Sequence, residues 1–153
     1  MKIAIILPSV SGKTTLCKEY PNFLEDIDGL PNDNEKCKLN DAISYSLVND
    51  TQENWNYVNN IWIEIVNKKS NINKILLCHS PDQLPNNYEY YIINTPIEPY
   101  LNNTINDTRR KTAILNRKHL YNYSKFSNYE YLNSPSEVYE FIQKLIKKYH
   151  SKK

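Results

Sequence analysis

The chain has 153 residues, of which 40% are hydrophobic and 24% charged, and its formal net charge is +2. These values are typical of one soluble globular domain, which we place at residues 1–150, and the charge is too small to indicate a nucleic acid or a membrane as a partner. The three cysteines, Cys17, Cys37 and Cys78, form no C-x-x-C pair. This argues against a disulfide framework or a zinc site and favours a reducing, cytoplasmic compartment. The apolar run near the N-terminus has five residues, too few for a signal peptide or a membrane span.

The segment 2–15 reads KIAIILPSVSGKTT and has the layout of a phosphate-binding loop. Its apolar, largely β-branched start predicts a buried strand, and a short polar loop then leads into a helix. Backbone N–H groups in such a loop form an anion site, here for the phosphates of ATP. Lys13 is predicted to reach the outer phosphates, and the Thr14 hydroxyl to bind a magnesium ion that bridges them. The predicted phosphate-binding residues are Ser9, Val10, Ser11, Gly12, Lys13, Thr14 and Thr15.

This motif departs from its usual form, G-x-x-x-x-G-K-[ST], because Leu7 stands where the first glycine belongs. The chain has only two glycines, Gly12 and Gly29, and Gly12 lies where the backbone must approach phosphate closely. The alternative is a chance G-K-T sequence at an ordinary turn between a strand and a helix.

Beyond the loop, apolar patterning predicts strands and helices in alternation. Ser134 to Glu137 form a capping box for a final helix, and a short capped turn is expected at Thr95–Glu98. Such alternation predicts a three-layer α/β fold whose parallel sheet is covered on both faces, with nucleotide at the carboxyl ends of the strands. The predicted strands are 3–7, 22–27, 72–79, 88–94 and 129–132, and the predicted helices are 14–20, 36–48, 50–69, 105–121 and a last one from about 135.

Two acids, Asp26 and Asp28, end the second predicted strand, and the alternation of side chains along a strand places them on one side. Asp28 is a candidate general base toward an acceptor hydroxyl, or a magnesium ligand, with Asp26 as its alternate. The alternative is that both are solvated turn residues. The third predicted strand ends in Cys78 and His79, where many P-loop enzymes carry an acid for magnesium. His79 is either a polar contact of the site or a structural histidine.

Arginine is scarce, and all three arginines fall within nine positions, at Arg109, Arg110 and Arg117. Arg110 and Arg117 lie two helical turns apart, which predicts that they share one face while Arg109 points elsewhere. The arginine fork binds phosphate oxygens in pairs, so this face is a candidate contact for a transferring phosphoryl group. The alternative is a solvated basic helix face.

The order of these features resembles the small P-loop kinases, the nucleoside and nucleotide kinase-like group to which adenylate, shikimate and polynucleotide kinases belong. The resemblance implies a five-stranded parallel sheet in the order 2-3-1-4-5 and a mobile lid at about 105–121. Arg110 and Arg117 of that lid would close over the moving phosphoryl group. The implied activity is transfer of the γ-phosphate of ATP, with Mg²⁺, to a nucleotide, a nucleoside or a similar small acceptor. The acceptor pocket would lie between the helices of 35–69.

Two other functions stay open. One is a polynucleotide 5′-hydroxyl kinase, for which the dispersed lysines indicate no basic channel. The other is a nucleotide-binding scaffold or regulatory module with weak or no catalysis. The missing first glycine and the missing acid after the third strand favour this module.

Overall fold

Five parallel strands form the centre of the computed structural model, which describes residues 2–102 and 105–150. The sheet has the order β2-β3-β1-β4-β5, as predicted, and every neighbouring pair is parallel. All four residues of the central strand are buried, because strands covered on both faces need continuous apolar runs such as IAII. The strands are β1 (Ile3–Ile6), β2 (Leu24–Asp26), β3 (Ile75–Cys78), β4 (Glu89–Asn94) and β5 (Tyr129–Tyr131).

Helices cover both faces of the sheet. α1 and α5 pack on one face, and α2, α3 and the end of α4 pack on the other. The apolar positions of α5 recur every three or four residues, and four of them are buried against the sheet. The helices are α1 (Lys13–Glu19), α2 (Asp33–Val48), α3 (Gln52–Lys69), α4 (Asp107–Tyr121) and α5 (Pro135–His150), with 3₁₀ turns at Ile27–Gly29, Pro81–Gln83 and Glu98–Tyr100.

Local hydrogen bonds shift several predicted boundaries. β3 begins three residues later than expected because the Lys74 N–H bonds to the Asn71 carbonyl in a turn, which leaves Ile72 exposed. α2 begins three residues earlier, at a capping box between Asn32 and Glu35 that the sequence reading missed.

Two predicted helix starts are wrong. α3 begins at Gln52, two residues after the predicted start, because the Thr51 side chain accepts the capping hydrogen bond from the Asn54 N–H, while Asp50 accepts one from the Trp55 indole. The capped turn expected at Thr95 is absent as well. The Thr95 N–H donates to the side chain of Asn94, and helical backbone begins only at the later 3₁₀ turn. Within the described residues, no helix combines the length and apolar character needed to cross a bilayer.

Candidate functional site

The loop that follows β1 lies at the carboxyl edge of the sheet, beside the residues that follow β2, β3 and β4. Because all strands are parallel, these connections meet at one edge, which is where ligands bind in open α/β sheets. The Leu7 N–H extends the β1–β3 ladder with a bond of 2.8 Å to the Cys78 carbonyl. The loop therefore begins from a fixed, fully buried position.

The loop backbone turns through two left-handed residues, Val10 (φ 58°) and Gly12 (φ 80°). Glycine adopts this conformation freely, but a β-branched residue does so only when its surroundings compensate the strain, about 1–3 kcal/mol. The side chain of Val10 is buried in a small apolar cluster with Ile97 and Ala113. The Ser11 hydroxyl adds a hydrogen bond of 2.6 Å to the Pro8 carbonyl.

This backbone leaves a run of amides without partners. From Val10 to Thr15, no backbone N–H bonds to an acceptor in residues 2–102 or 105–150. Val10, Ser11 and Lys13 are largely buried, whereas Thr14 and Thr15 are exposed. The N–H groups of Lys13, Thr14 and Thr15 lie in the first turn of α1, where a helix has no acceptor of its own for them. Successive unpaired N–H groups in a loop of this kind form a concave anion site.

Lys13, Asp28 and His79 form a charged cluster beside these amides. The Nζ of Lys13 lies 4.0 Å from an Asp28 carboxylate oxygen, and the Nε2 of His79 lies 3.1 Å from the same oxygen. Lys13 is 7% exposed, whereas the side chain of Asp28 is 52% exposed. The structure therefore brings together the predicted lysine, the predicted acid and the histidine that follows β3.

Asp28 reaches this cluster by a different route from the predicted one. β2 ends at Asp26, and the Asp26 carboxylate accepts a hydrogen bond of 3.0 Å from the Asp28 N–H. This bond caps a 3₁₀ turn that carries Asp28. The expected strand alternation is therefore wrong, and Asp26 acts as the cap of the turn.

The cluster shifts the pKa values of Lys13 and Asp28. Burial lowers the pKa of Lys13, while the charges of Asp28 and Asp26 oppose that shift. For Asp28, burial favours the neutral acid, but the hydrogen bond and charge of His79, with the charges of Lys13 and Arg109, outweigh it. They lower the pKa of Asp28 to about 2. Asp28 is thus a carboxylate at neutral pH, a good ligand and a weak base.

Few protein side chains at this site could bind magnesium. No group of three or more His, Cys, Asp or Glu side chains that could hold a metal occurs among residues 2–102 and 105–150. Magnesium usually keeps several waters and uses one or two protein oxygens beside substrate phosphates. The exposed Thr14 hydroxyl and the Asp28 carboxylate fit that limited role.

The three arginines of α4 have different surroundings. Arg109 and Arg110 are exposed, and the charge of Arg109 contributes to the lowered pKa of Asp28. The expectation that Arg109 points elsewhere than Arg110 and Arg117 stays a prediction. Arg117 is half-buried, and its guanidinium donates to the backbone carbonyls of Ser9 and Val10 in the loop, at 2.6 and 2.7 Å. Arg110 and Arg117 therefore differ in their surroundings: Arg110 is exposed, and Arg117 is bonded to the loop.

Asn116 is a site residue that the sequence reading missed. Its side-chain carbonyl accepts a hydrogen bond of 2.6 Å from the Ser9 N–H, and its amide nitrogen donates to the His79 carbonyl. It thus joins the segments that follow β1 and β3. No motif distinguishes it in a chain this rich in asparagine.

Tyr100 lies next to the loop. A Cβ placed on Gly12 would come 3.6 Å from its ring, an ordinary van der Waals distance, so the ring lies beside the glycine. Burial raises the pKa of Tyr100, which keeps its hydroxyl neutral at physiological pH.

A cavity of about 460 Å³ lies elsewhere, between α2 and α3. This is the region from which the acceptor pocket was expected, but no predicted site residue lines it. Its lining residues are Lys38, Asp41, Ala42, Tyr45, Ser46, Asn54 and Tyr57.

Comparisons with known proteins identify no family. No protein-family model matches the chain, and no curated protein is similar to it. A solved structure of an uncharacterized protein from Eubacterium ventriosum is 14% identical, with 97% of this chain and 98% of that chain covered and a TM-score of 0.43. A likeness at this identity and score supports no conclusion about fold family or function.

Proposed function

We propose that this protein is an ATP-dependent phosphotransferase of the P-loop kinase type, which moves the γ-phosphate of ATP to a nucleotide, a nucleoside or a similar small acceptor. The observation that carries the proposal is the run of unpartnered amides from Val10 to Thr15, with the Lys13 ammonium beside it. N–H groups without an acceptor in the protein are available to a ligand, and the oxygens of a triphosphate would accept their hydrogen bonds.

Each requirement of phosphoryl transfer has a residue in this proposal. The loop amides and Lys13 hold the donor phosphates in place. Thr14 and Asp28 are the residues that would hold magnesium, which offsets charge on the phosphate oxygens. The exposed Arg109 and Arg110 are the cations available to approach the transferring group. In the reaction, the bond between the γ-phosphorus and its bridging oxygen breaks as the acceptor oxygen bonds to that phosphorus.

The low pKa of Asp28 limits its role in this scheme. A carboxylate with a pKa of about 2 is a poor base for an alcohol, so we assign Asp28 to orientation of the acceptor or the metal. The loose transition state of phosphoryl transfer places little demand on early deprotonation. The acceptor proton then leaves late, to Asp28 or to a phosphate oxygen.

The test is ADP release by the purified protein with Mg²⁺ and ATP against a panel of nucleosides, nucleoside monophosphates and a 5′-hydroxyl oligonucleotide. We expect acceptor-dependent ADP release with a nucleoside or a monophosphate, and its loss in Lys13→Met. Activity on the oligonucleotide alone would favour a polynucleotide 5′-hydroxyl kinase instead.

A second candidate is a nucleotide-binding module without turnover. It is favoured by the sequence at the end of β3, where Cys78 and His79 stand in place of an acid. It is also favoured by the hydrogen bond between Asp28 and His79, because this bond competes with magnesium for the carboxylate. Binding of ATP without ADP release on the whole panel supports the module. Absence of ATP binding contradicts both candidates.

A further inference from the structure

Within residues 2–102 and 105–150, every hydrogen-bond partner of the Arg117 guanidinium is a main-chain oxygen. Its Nε donates to the Thr95 carbonyl at 2.7 Å, and its terminal nitrogens donate to Ser9, Val10 and Ala113. Among the described residues, no carboxylate lies within ion-pair distance of it. Four charge-assisted hydrogen bonds to carbonyls fix a half-buried cation on the outer side of the loop.

The geometry of the peptide bond gives these contacts a consequence for the loop amides. Every peptide bond in the described residues is trans, so the carbonyl of one residue and the N–H of the next point in opposite directions. With the carbonyls of Ser9 and Val10 turned to Arg117, the N–H groups of Val10 and Ser11 point away from it. These are the first two amides of the unpartnered run.

A second contact fixes the start of the same segment. Asn116, the neighbour of Arg117 on α4, accepts the Ser9 N–H and donates to the His79 carbonyl. The strained backbone of Val10 is thereby fixed by hydrogen bonds to the carbonyls of Ser9 and Val10 and by the burial of the Val10 side chain. A left-handed β-branched residue persists only where its surroundings determine it in this way.

We infer that Arg117 is a positioning residue: it holds the carbonyls of Ser9 and Val10 outward and so directs the Val10 and Ser11 amides toward the phosphates. The inference rests on the proposed function for the identity of the anion. By this inference the second half of α4 is a fixed support of the loop. It would not act as the lid that the resemblance implied, which closes over the transferring group.

Two substitutions at Arg117 distinguish the hydrogen-bonding geometry of its guanidinium from its positive charge. Arg117→Met removes both, and Arg117→Lys keeps the charge, but the three donors of an ammonium cannot reproduce the four hydrogen bonds of the guanidinium. Lys118→Met is the matched control, because it removes an exposed cation from the next position of α4. For each protein we would measure MgATP affinity by calorimetry and the ¹H–¹⁵N signals of Val10, Ser11 and Gly12 without nucleotide.

We expect MgATP affinity to fall at least about tenfold in Arg117→Met, since loss of one charge-assisted contact to the loop is enough for that change. Arg117→Lys should recover only part of the affinity, and both variants should move the loop amide signals. Lys118→Met should leave affinity within about twofold of the original protein, the effect typical of an exposed charge. Arg117→Lys is also the variant that keeps the test valid if Arg117→Met does not fold.

Wild-type affinity and wild-type amide signals in Arg117→Lys would overturn the inference while leaving the proposed function intact. Full recovery of affinity by Arg117→Lys would also overturn it, because charge alone would then suffice. If the unaltered protein binds no MgATP but the loop signals still move in the Arg117 variants, the proposed function fails and the positioning role stands.

Discussion

The two halves of helix α4 differ in what they contact, although both carry arginine. The first half, 107–112, is exposed throughout and presents Arg109 and Arg110 to solvent. The second half is fixed to the sheet edge: Asn116 and Arg117 bond to the loop after β1, and the His119 ring lies 3.1 Å from the Ser80 hydroxyl. Positions on one face of a helix can therefore serve different ends, since seven residues separate side chains by about 10 Å along the axis.

The comparison predicts that cations of the first half act on the ligand directly, and residues of the second half act through the loop. It also requires that the loop be the phosphate site.

The largest expected effect therefore belongs to Lys13. We expect Lys13→Met to reduce turnover by about 1,000-fold or more, because a buried cation beside the phosphates would be lost. Steady-state ADP release measures this, and near-normal turnover would remove the loop from the site.

The next effect concerns stability in the anchored half. Asn116→Ala leaves the Ser9 N–H and the His79 carbonyl without a partner, so we expect the free energy of unfolding to fall by about 1–3 kcal/mol. Urea denaturation measures the loss. Thr112→Ala is the control on the exposed half, where a change within about 0.5 kcal/mol is expected. Equal losses in the two variants would erase the distinction between the halves.

Arg110→Met tests the exposed half. Because Arg110 is exposed, we expect the unfolding free energy to stay within about 0.5 kcal/mol. Turnover should fall about tenfold or more if this cation approaches the transferring phosphoryl group. Lower turnover at unchanged stability would contrast with Asn116→Ala, for which a loss of stability is expected. Unchanged turnover would make Arg110 a solvated surface residue.

The smallest expected effect is on acid stability. The pKa of Asp28 is lowered from 3.8 to about 2, so its carboxylate favours the folded state above pH 4. That contribution is lost progressively as the pH falls from about 4 to 2. Asp28→Asn should therefore flatten the stability curve in this window and lower stability at neutral pH. An acid limb identical to that of the original protein would show that His79 and Lys13 do not stabilise the carboxylate.

The sheet could be predicted from the sequence because its information is local and periodic. Buried runs such as IAII and ILLC specify strands without reference to distant residues, and the apolar repeat of α5 specifies its buried face. The loop was found for a related reason, since Gly12 and Lys13 are adjacent in the chain.

The rest of the site depends on contacts between distant positions. Asn116 and Ser9 are 107 positions apart in the chain, and no sequence pattern in either segment predicts their hydrogen bond. Arg117 was singled out by its type and spacing, but its partners are main-chain carbonyls. Because every residue has such a carbonyl, the sequence does not indicate which ones Arg117 contacts. Asp28 lies beside Lys13 and His79, but on a 3₁₀ turn that the apolar pattern did not indicate, because the strand ends at Asp26 and the Asp26 side chain caps that turn.

The most direct measurement is a ¹H–¹⁵N titration of the unaltered protein with MgATP. We expect the amide signals of Val10 to Thr15 to shift in proportion to occupancy, while those of the residues that line the cavity between α2 and α3 move less. Bound nucleotide with unmoved signals from Val10 to Thr15 would contradict the central claim that these amides hold the phosphates.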